Sequence, residues 1–60
     1  MSKLLNVDEL SNILNIKKSC LYHLAAKRKI PSVKIGKHVR FYKRDIEGWL
    51  ERKYRQAINA

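Results

Sequence analysis

Pro31 is the residue that most constrains the fold of this 60-residue chain. Proline lacks a backbone N–H and pushes the preceding residue away from helical dihedral angles, so no helix is expected to run through it. Before Pro31 the apolar residues recur at helical spacing, and after it apolar and polar residues alternate as they do in strands. The sequence therefore predicts helices followed by a β-hairpin.

The segment before Pro31 predicts two short helices joined by a tight turn. Asn6 and Glu9 have the spacing of a capping box, which places the first helical residue at Val7. Asn15 is suited to the left-handed backbone that ends a helix, and the second helix is expected to begin at Lys17 or Lys18. The predicted inward stripes contain Val7, Leu10, Ile13 and Leu14 in the first helix, and Leu21, Leu24, Ala25 and the aliphatic stem of Arg28 in the second.

After Pro31 the pattern predicts a small basic hairpin and a third helix. Two alternating segments, 32–35 and 38–41, flank Gly36-Lys37, a pair suited to a type II′ turn. The inward hairpin residues are expected to be Val33, Ile35, Val39 and Phe41, which leaves Lys34, Lys37, His38 and Arg40 on the solvent side or at the tip. The third helix starts near Lys43-Arg44-Asp45 and closes the core with Ile46, Trp49 and Leu50.

Length and charge restrict the class of protein. We expect a single domain over residues 1–60, with a core in 5–52 and a tail, 53–60, that frays or extends the last helix. Fourteen Lys and Arg against five Asp and Glu give a net charge of +9, which points to a polyanionic partner. No apolar run approaches the ~20 residues of a membrane span, and no signal peptide is recognised, so a cytoplasmic protein is predicted.

The order of helix, turn, basic helix, proline, hairpin and helix resembles the small excisionase-type family of DNA-binding proteins, relatives of the mercury-regulator type. The resemblance implies an α+β, mainly helical, compact winged helix-turn-helix, with a recognition helix in the major groove and a two-stranded wing on the backbone or minor groove. It also implies a role in prophage or plasmid excision or in transcription control. The residues that carry it are 7–10, 14–16, 19–24, 30–31, 33–36, 40–41 and 45–50.

The sequence departs from the usual pattern of that family in three places. Lys17 stands where a Ser or Thr helix cap is common, and His23 stands where a basic residue is common. Lys27-Arg28-Lys29 replaces an acidic residue and a glycine before Ile30-Pro31. The last departure makes the corner between the second helix and the wing cationic, which favours contact with phosphate.

The candidate DNA-binding residues follow from the helical rotation of about 100° per residue. With Leu21 inward, Ser19 and His23 lie opposite the core, flanked by Tyr22 and Lys27. Lysines at the helix N-terminus suit phosphate, and cations on the wing suit a narrow minor groove. The predicted DNA-binding set is Lys17, Lys18, Ser19, Tyr22, His23, Lys27, Lys37, His38 and Arg40.

Other functions are less well supported by the sequence. Cys20, His23 and His38 suggest a metal site, but structural zinc needs about four ligands, so we predict no metal and expect Cys20 to be a small, partly buried residue. No catalytic constellation or cofactor motif is present, which predicts a non-enzymatic protein. Pro31 and the hairpin argue against a membrane-surface helix, and few aromatic residues are free to stack on RNA bases.

The predicted partner is double-stranded DNA, with an integrase or recombinase as a second candidate and no membrane. A transcriptional regulator of a phage or plasmid needs the same binding surface as an excisionase, so both functions stay open. Self-association on DNA also stays open, because the tail contains Tyr54 and Ile58 but sustains no heptad pattern.

Overall fold

The computed structural model describes residues 3–58 and has the predicted winged helix-turn-helix architecture. The strands form one antiparallel sheet in the order β1-β3-β2, so β3 is central. The helices make this a mainly helical fold. In chain order the elements are β1 (Leu4–Leu5), α1 (Val7–Leu14), α2 (Lys18–Ala26), β2 (Val33–Ile35), β3 (His38–Tyr42) and α3 (Lys43–Ile58).

Local hydrogen bonds fix both ends of α1 and the turn that follows. The predicted capping box is confirmed: Asn6 Oδ1 accepts from the Glu9 amide at 2.7 Å, and Glu9 Oε1 accepts from the Asn6 amide at 3.0 Å. Asn15 ends the helix with a left-handed φ of 55°, as predicted. The Ile16 amide then donates to Ser11 O at 3.2 Å, while the Ser11 hydroxyl donates to Ile16 O at 2.6 Å. These bonds set the angle at which α2 leaves α1.

The second helix begins as predicted but ends in a strained turn. Arg28 has a left-handed φ of 56°, and the Lys29 amide donates back to Leu24 O at 2.8 Å, which is the pattern of a Schellman cap. The prediction that Arg28 continues the inward stripe is wrong, because the left-handed residue turns the chain away from the helix and leaves this side chain exposed. Ile30 follows and is buried, so it anchors the corner in the core.

The hairpin forms as predicted, but Val33 and Ile35, two of the four residues expected on its inward face, lie on the opposite face. Gly36 has a φ of 61°, a backbone conformation that glycine adopts without strain. Directly opposed residues share one face of a sheet, and a two-residue turn places Val33 and Ile35 opposite polar residues, on the face away from Val39 and Phe41. Ile35 is accordingly 53% exposed. The register pairs Val33 with Arg40, Lys34 with Val39 and Ile35 with His38.

The strand β1 is an addition to the predicted two-stranded wing. Leu4 pairs with Tyr42 and Leu5 with Phe41, and the Lys43 amide donates to Lys3 O at 2.9 Å. A strand of two residues is too short to show an alternating pattern, so no sequence signal indicated it. The pairing ties the chain start to the centre of the sheet and buries Leu5 against the core.

The core lies where α1, α2, α3 and β3 meet. Three residues expected inside lie outside it: Ile13 is 59% exposed, Leu50 is 40% exposed, and Cys20 is exposed rather than partly buried. Ile13 is rotated about 100° from Leu14 around α1, and the second half of α3 runs past the core. The helix continues through Ile58, and residues 59 and 60 of the predicted tail lie outside the described residues. The buried side chains are Leu5, Val7, Leu10, Leu21, Ile30, Phe41 and Ile46.

Candidate nucleic-acid interface

The outer face of α2 consists of Ser19, Tyr22, His23 and Ala26, and all four side chains are exposed. Leu21 on the opposite side of the helix is completely buried, which fixes the rotation of α2 about its axis. A DNA major groove is wide enough to admit an α-helix, and this face presents hydroxyl, phenol and imidazole groups that can hydrogen-bond base edges. The outer face of α2 therefore points away from the core, as predicted.

An ion pair reduces the positive charge at the N-terminal end of α2. Lys18 Nζ lies 2.7 Å from Asp8 Oδ1 on α1, and both side chains are mostly exposed. The hydrogen bond to Asp8, and then its charge, raises the pKa of Lys18, so the ammonium stays charged at neutral pH. Lys17 is the N-cap residue and makes no side-chain cap hydrogen bond. Sequence reasoning placed both lysines correctly but missed that an acid on α1 neutralises one of them.

A small cleft of about 220 Å³ joins α2 to the wing and to the start of α1. It brings Tyr22 to the same surface as the predicted wing residues Lys37, His38 and Arg40. The Arg40 guanidinium is held by donation from Nη1 to Val39 O at 2.9 Å. Four of the nine predicted residues thus meet at one cleft. Of the other five, Ser19 and His23 lie on the outer face, Lys17 and Lys18 lie at the N-terminal end of α2, and Lys27 lies at its C-terminal end.

A family model described as a helix-turn-helix domain matches residues 4–54. The chain belongs to the excisionase-type helix-turn-helix family. No significant match is found among curated proteins or among solved structures. Membership of the helix-turn-helix family indicates DNA binding, and families of this kind are typically non-enzymatic. Over residues 3–58, no helix of this helix-turn-helix protein combines the length and the apolar character needed to cross a bilayer.

Two further clefts of the helix-turn-helix protein contain cations outside the nine predicted DNA-binding residues, although the sequence had already indicated that the corner after α2 is cationic. Lys34, expected on the solvent side of the wing, shares a face with Val39 and lines a cleft of about 330 Å³ beside Tyr22. The two-residue turn pairs Lys34 with Val39, so the sequence contained the information needed to assign Lys34 to the inward face of the wing. A larger cleft of about 810 Å³ lies at the corner between α2, β2 and α3, and its cations are Arg28, Lys29, Lys34 and Arg52.

The side chains weighed as metal ligands in the sequence do not assemble into a site in the described part of this helix-turn-helix protein. No three His, Cys, Asp or Glu side chains among residues 3–58 group closely enough to hold a metal ion. Cys20 and His23 are both exposed on α2, and His38 lines the cleft of about 220 Å³ between α2, the wing and the start of α1.

Proposed function

We propose that this protein is a sequence-specific, duplex-DNA-binding accessory protein that acts as the excisionase of a mobile element. In this proposal α2 lies in the major groove and the wing, β2 and β3, contacts the backbone or the adjacent minor groove. The protein bends or marks the DNA so that a partner integrase or recombinase carries out excision. It supplies no catalytic group itself, and it acts in the cytoplasm, where the element's DNA is located.

The observation that supports this proposal best is the joint presentation of the outer face of α2 and the cations of the wing. Tyr22 of α2 lines the same cleft as Lys37, His38 and Arg40 of the wing. Phosphate contacts give affinity and base contacts give sequence preference, and these two groups of side chains divide in that way. Ser19 and His23 can contact bases, whereas Lys37 and Arg40 suit phosphates.

Salt-dependent binding to duplex DNA tests the electrostatic part of the proposal. If about five cations meet phosphates, the logarithm of the affinity should fall with the logarithm of salt concentration at a slope near −4.5. Fluorescence anisotropy of a labelled duplex, with the matching single strands as comparison, measures this slope. Tighter binding to the single strands, or an affinity that hardly changes with salt, would overturn the proposal.

Substitutions on the two elements test the division of roles. Lys37→Gln with Arg40→Gln should weaken binding to all duplexes by similar factors, because phosphates are common to every sequence. Ser19→Ala or His23→Ala should instead change the preference among sites. If neither pair of changes alters binding, the surface is wrongly placed.

A recombination assay tests the excisionase role itself. Adding the protein to an integrase from the same element should favour excision over integration on a substrate that carries the attachment sites. DNA binding without any effect on recombination, combined with repression of a neighbouring promoter, would instead establish a transcriptional regulator.

A further inference from the structure

The corner cleft, lined by Arg28, Lys29, Lys34 and Arg52, is formed by three separate parts of the chain. Arg28 and Lys29 come from the turn after α2, Lys34 comes from β2, and Arg52 comes from α3. The cleft has a volume of about 810 Å³, and no acidic residue is among the residues that line it. Four positive charges from distant positions in the sequence therefore meet around one open depression.

The walls of the corner cleft are held in place by the core and by one long-range hydrogen bond. Trp49 Nε1 on α3 donates to Lys29 O at 2.9 Å, which ties α3 to the turn after α2. Ile30 is buried next to this turn. The Arg52 guanidinium lies back along α3, since its Nη1 is 3.7 Å from the place a Cβ on Gly48 would occupy. The cations are thus presented from a fixed frame.

The cations of the corner cleft make no salt bridge within residues 3–58. The ion pairs of that part of the chain involve other residues, such as Lys18 with Asp8 and Arg55 with Glu51. Uncompensated positive charge around a concave surface concentrates the electrostatic potential and attracts an anion. The corner cleft therefore has the chemistry of a phosphate-binding site.

The corner cleft continues into the surface proposed to bind DNA. It shares Ala25, Ala26, Ser32 and Lys34 with the cleft beside Tyr22, which lies between α2 and the wing. A DNA strand that passes between a helix in the major groove and a wing in the next groove would follow this shared wall. At its far end that strand would meet Arg52.

We infer that the corner cleft binds two neighbouring phosphates of the same duplex, next to the base pairs that α2 contacts. The inference rests on the proposed DNA-binding function and extends the contact surface to α3. Lys34 and Arg52 supply charge from opposite walls, and the turn after α2 supplies the rest. With two more phosphate contacts, the expected count rises to about seven and the salt slope to about −6.3.

Two double variants with matched charge changes test the inference. Lys34→Gln with Arg52→Gln removes one lysine and one arginine from the corner cleft. Lys43→Gln with Arg55→Gln makes the same change on α3 outside it. The cleft variant should return the salt slope from about −6.3 to about −4.5. With equal affinities at about 1 M salt, this change of slope weakens binding about 60-fold at about 0.1 M salt. The control variant should change the slope by less than half as much.

Equal changes in slope for the two variants would overturn the inference, because they would show an effect of net charge alone. Absence of duplex binding by the unsubstituted protein would overturn the proposed function and this inference with it. Ethylation interference adds a second measurement: the cleft variant should lose one or two sensitive phosphates at the edge of the site, and the control should lose none. Circular dichroism checks that both variants fold.

Discussion

The ion pair between Lys18 and Asp8 predicts that removal of an acid strengthens DNA binding. Asp8 is the acidic residue of the cleft that also contains Tyr22, Lys37 and His38, and its carboxylate lies 2.7 Å from Lys18 Nζ. The pair therefore cancels one positive charge at the end of α2 where a phosphate is expected. Asp8→Asn removes the negative charge and leaves Lys18 free to contact DNA.

The size of the effect follows from counterion release. One additional phosphate contact steepens the salt slope by about 0.9. With equal affinities at about 1 M salt, this corresponds to about eightfold tighter binding at about 0.1 M salt. Both side chains are largely exposed, and exposed pairs contribute little to folding, so the variant should fold normally. A lysine with an ordinary pKa is already protonated at neutral pH, and Asp8 raises the pKa of Lys18 further, so the lysine is charged throughout the neutral range with or without its partner.

A double-mutant cycle measured by fluorescence anisotropy tests this reasoning. Lys18→Gln should have a small effect in the unsubstituted protein but should abolish the gain in the Asp8→Asn background. Glu47→Gln is the matched control, since it removes one exposed negative charge from α3. An equal loss of DNA affinity on Lys18→Gln in both backgrounds would show that Asp8 does not mask Lys18, and so would an equal gain of affinity on Glu47→Gln and Asp8→Asn.

Three further predictions concern folding, and thermal or urea denaturation followed by circular dichroism measures each of them. Phe41→Ala should cost about 3–5 kcal/mol because the ring is completely buried, enough to unfold much of so small a domain, whereas Phe41→Leu should keep the fold. Asn6→Ala should cost about 1 kcal/mol through loss of the capping bond to the Glu9 amide, and an unchanged melting temperature would contradict that role. Gly36→Ala should cost about 1 kcal/mol through its φ of 61°, since no atom lies within 4 Å of the added Cβ; a more stable variant would show that the turn had changed type.

Much of the fold could be predicted because local sequence signals determine where its elements begin and end. The capping pair Asn6 and Glu9, the helix-ending Asn15, the break at Pro31 and the turn at Gly36 each act within a few residues. Such signals depend on backbone geometry and nearby hydrogen bonds, so they can be recognised without knowledge of the packing. They place α1, α2 and the hairpin in the correct order.

The sequence-based predictions are wrong where contacts between distant parts of the chain determine which residues are buried. The face on which Val33 and Ile35 lie depends on the pairing between β2 and β3, and β1 is stabilised only by its pairing with β3. Ile13 and Leu50 have suitable helical spacing, but the core is too small to cover them. Periodicity alone cannot report how far a core extends along a helix.

The candidate interface shows the same division. The rotation of α2 follows from Leu21, so the exposed side chains of its outer face could be identified from the sequence. The pairing of Lys18 with Asp8 and the approach of Arg52 to the corner after α2 depend on how separate elements pack. Contacts between elements therefore change the predicted interface in two ways: Asp8 neutralises one of its lysines, and the corner after α2 becomes a cationic cleft.

In the proposed function, α2 and the wing together form a surface for duplex DNA. The most direct test is an NMR titration of the ¹⁵N-labelled protein with a duplex taken from the DNA next to its own gene. We expect the largest amide shifts on α2 from Ser19 to Lys27 and on the wing around Lys37, with small shifts around Glu47 on α3. Large shifts confined to the end of α3, with α2 and the wing unchanged, would contradict it.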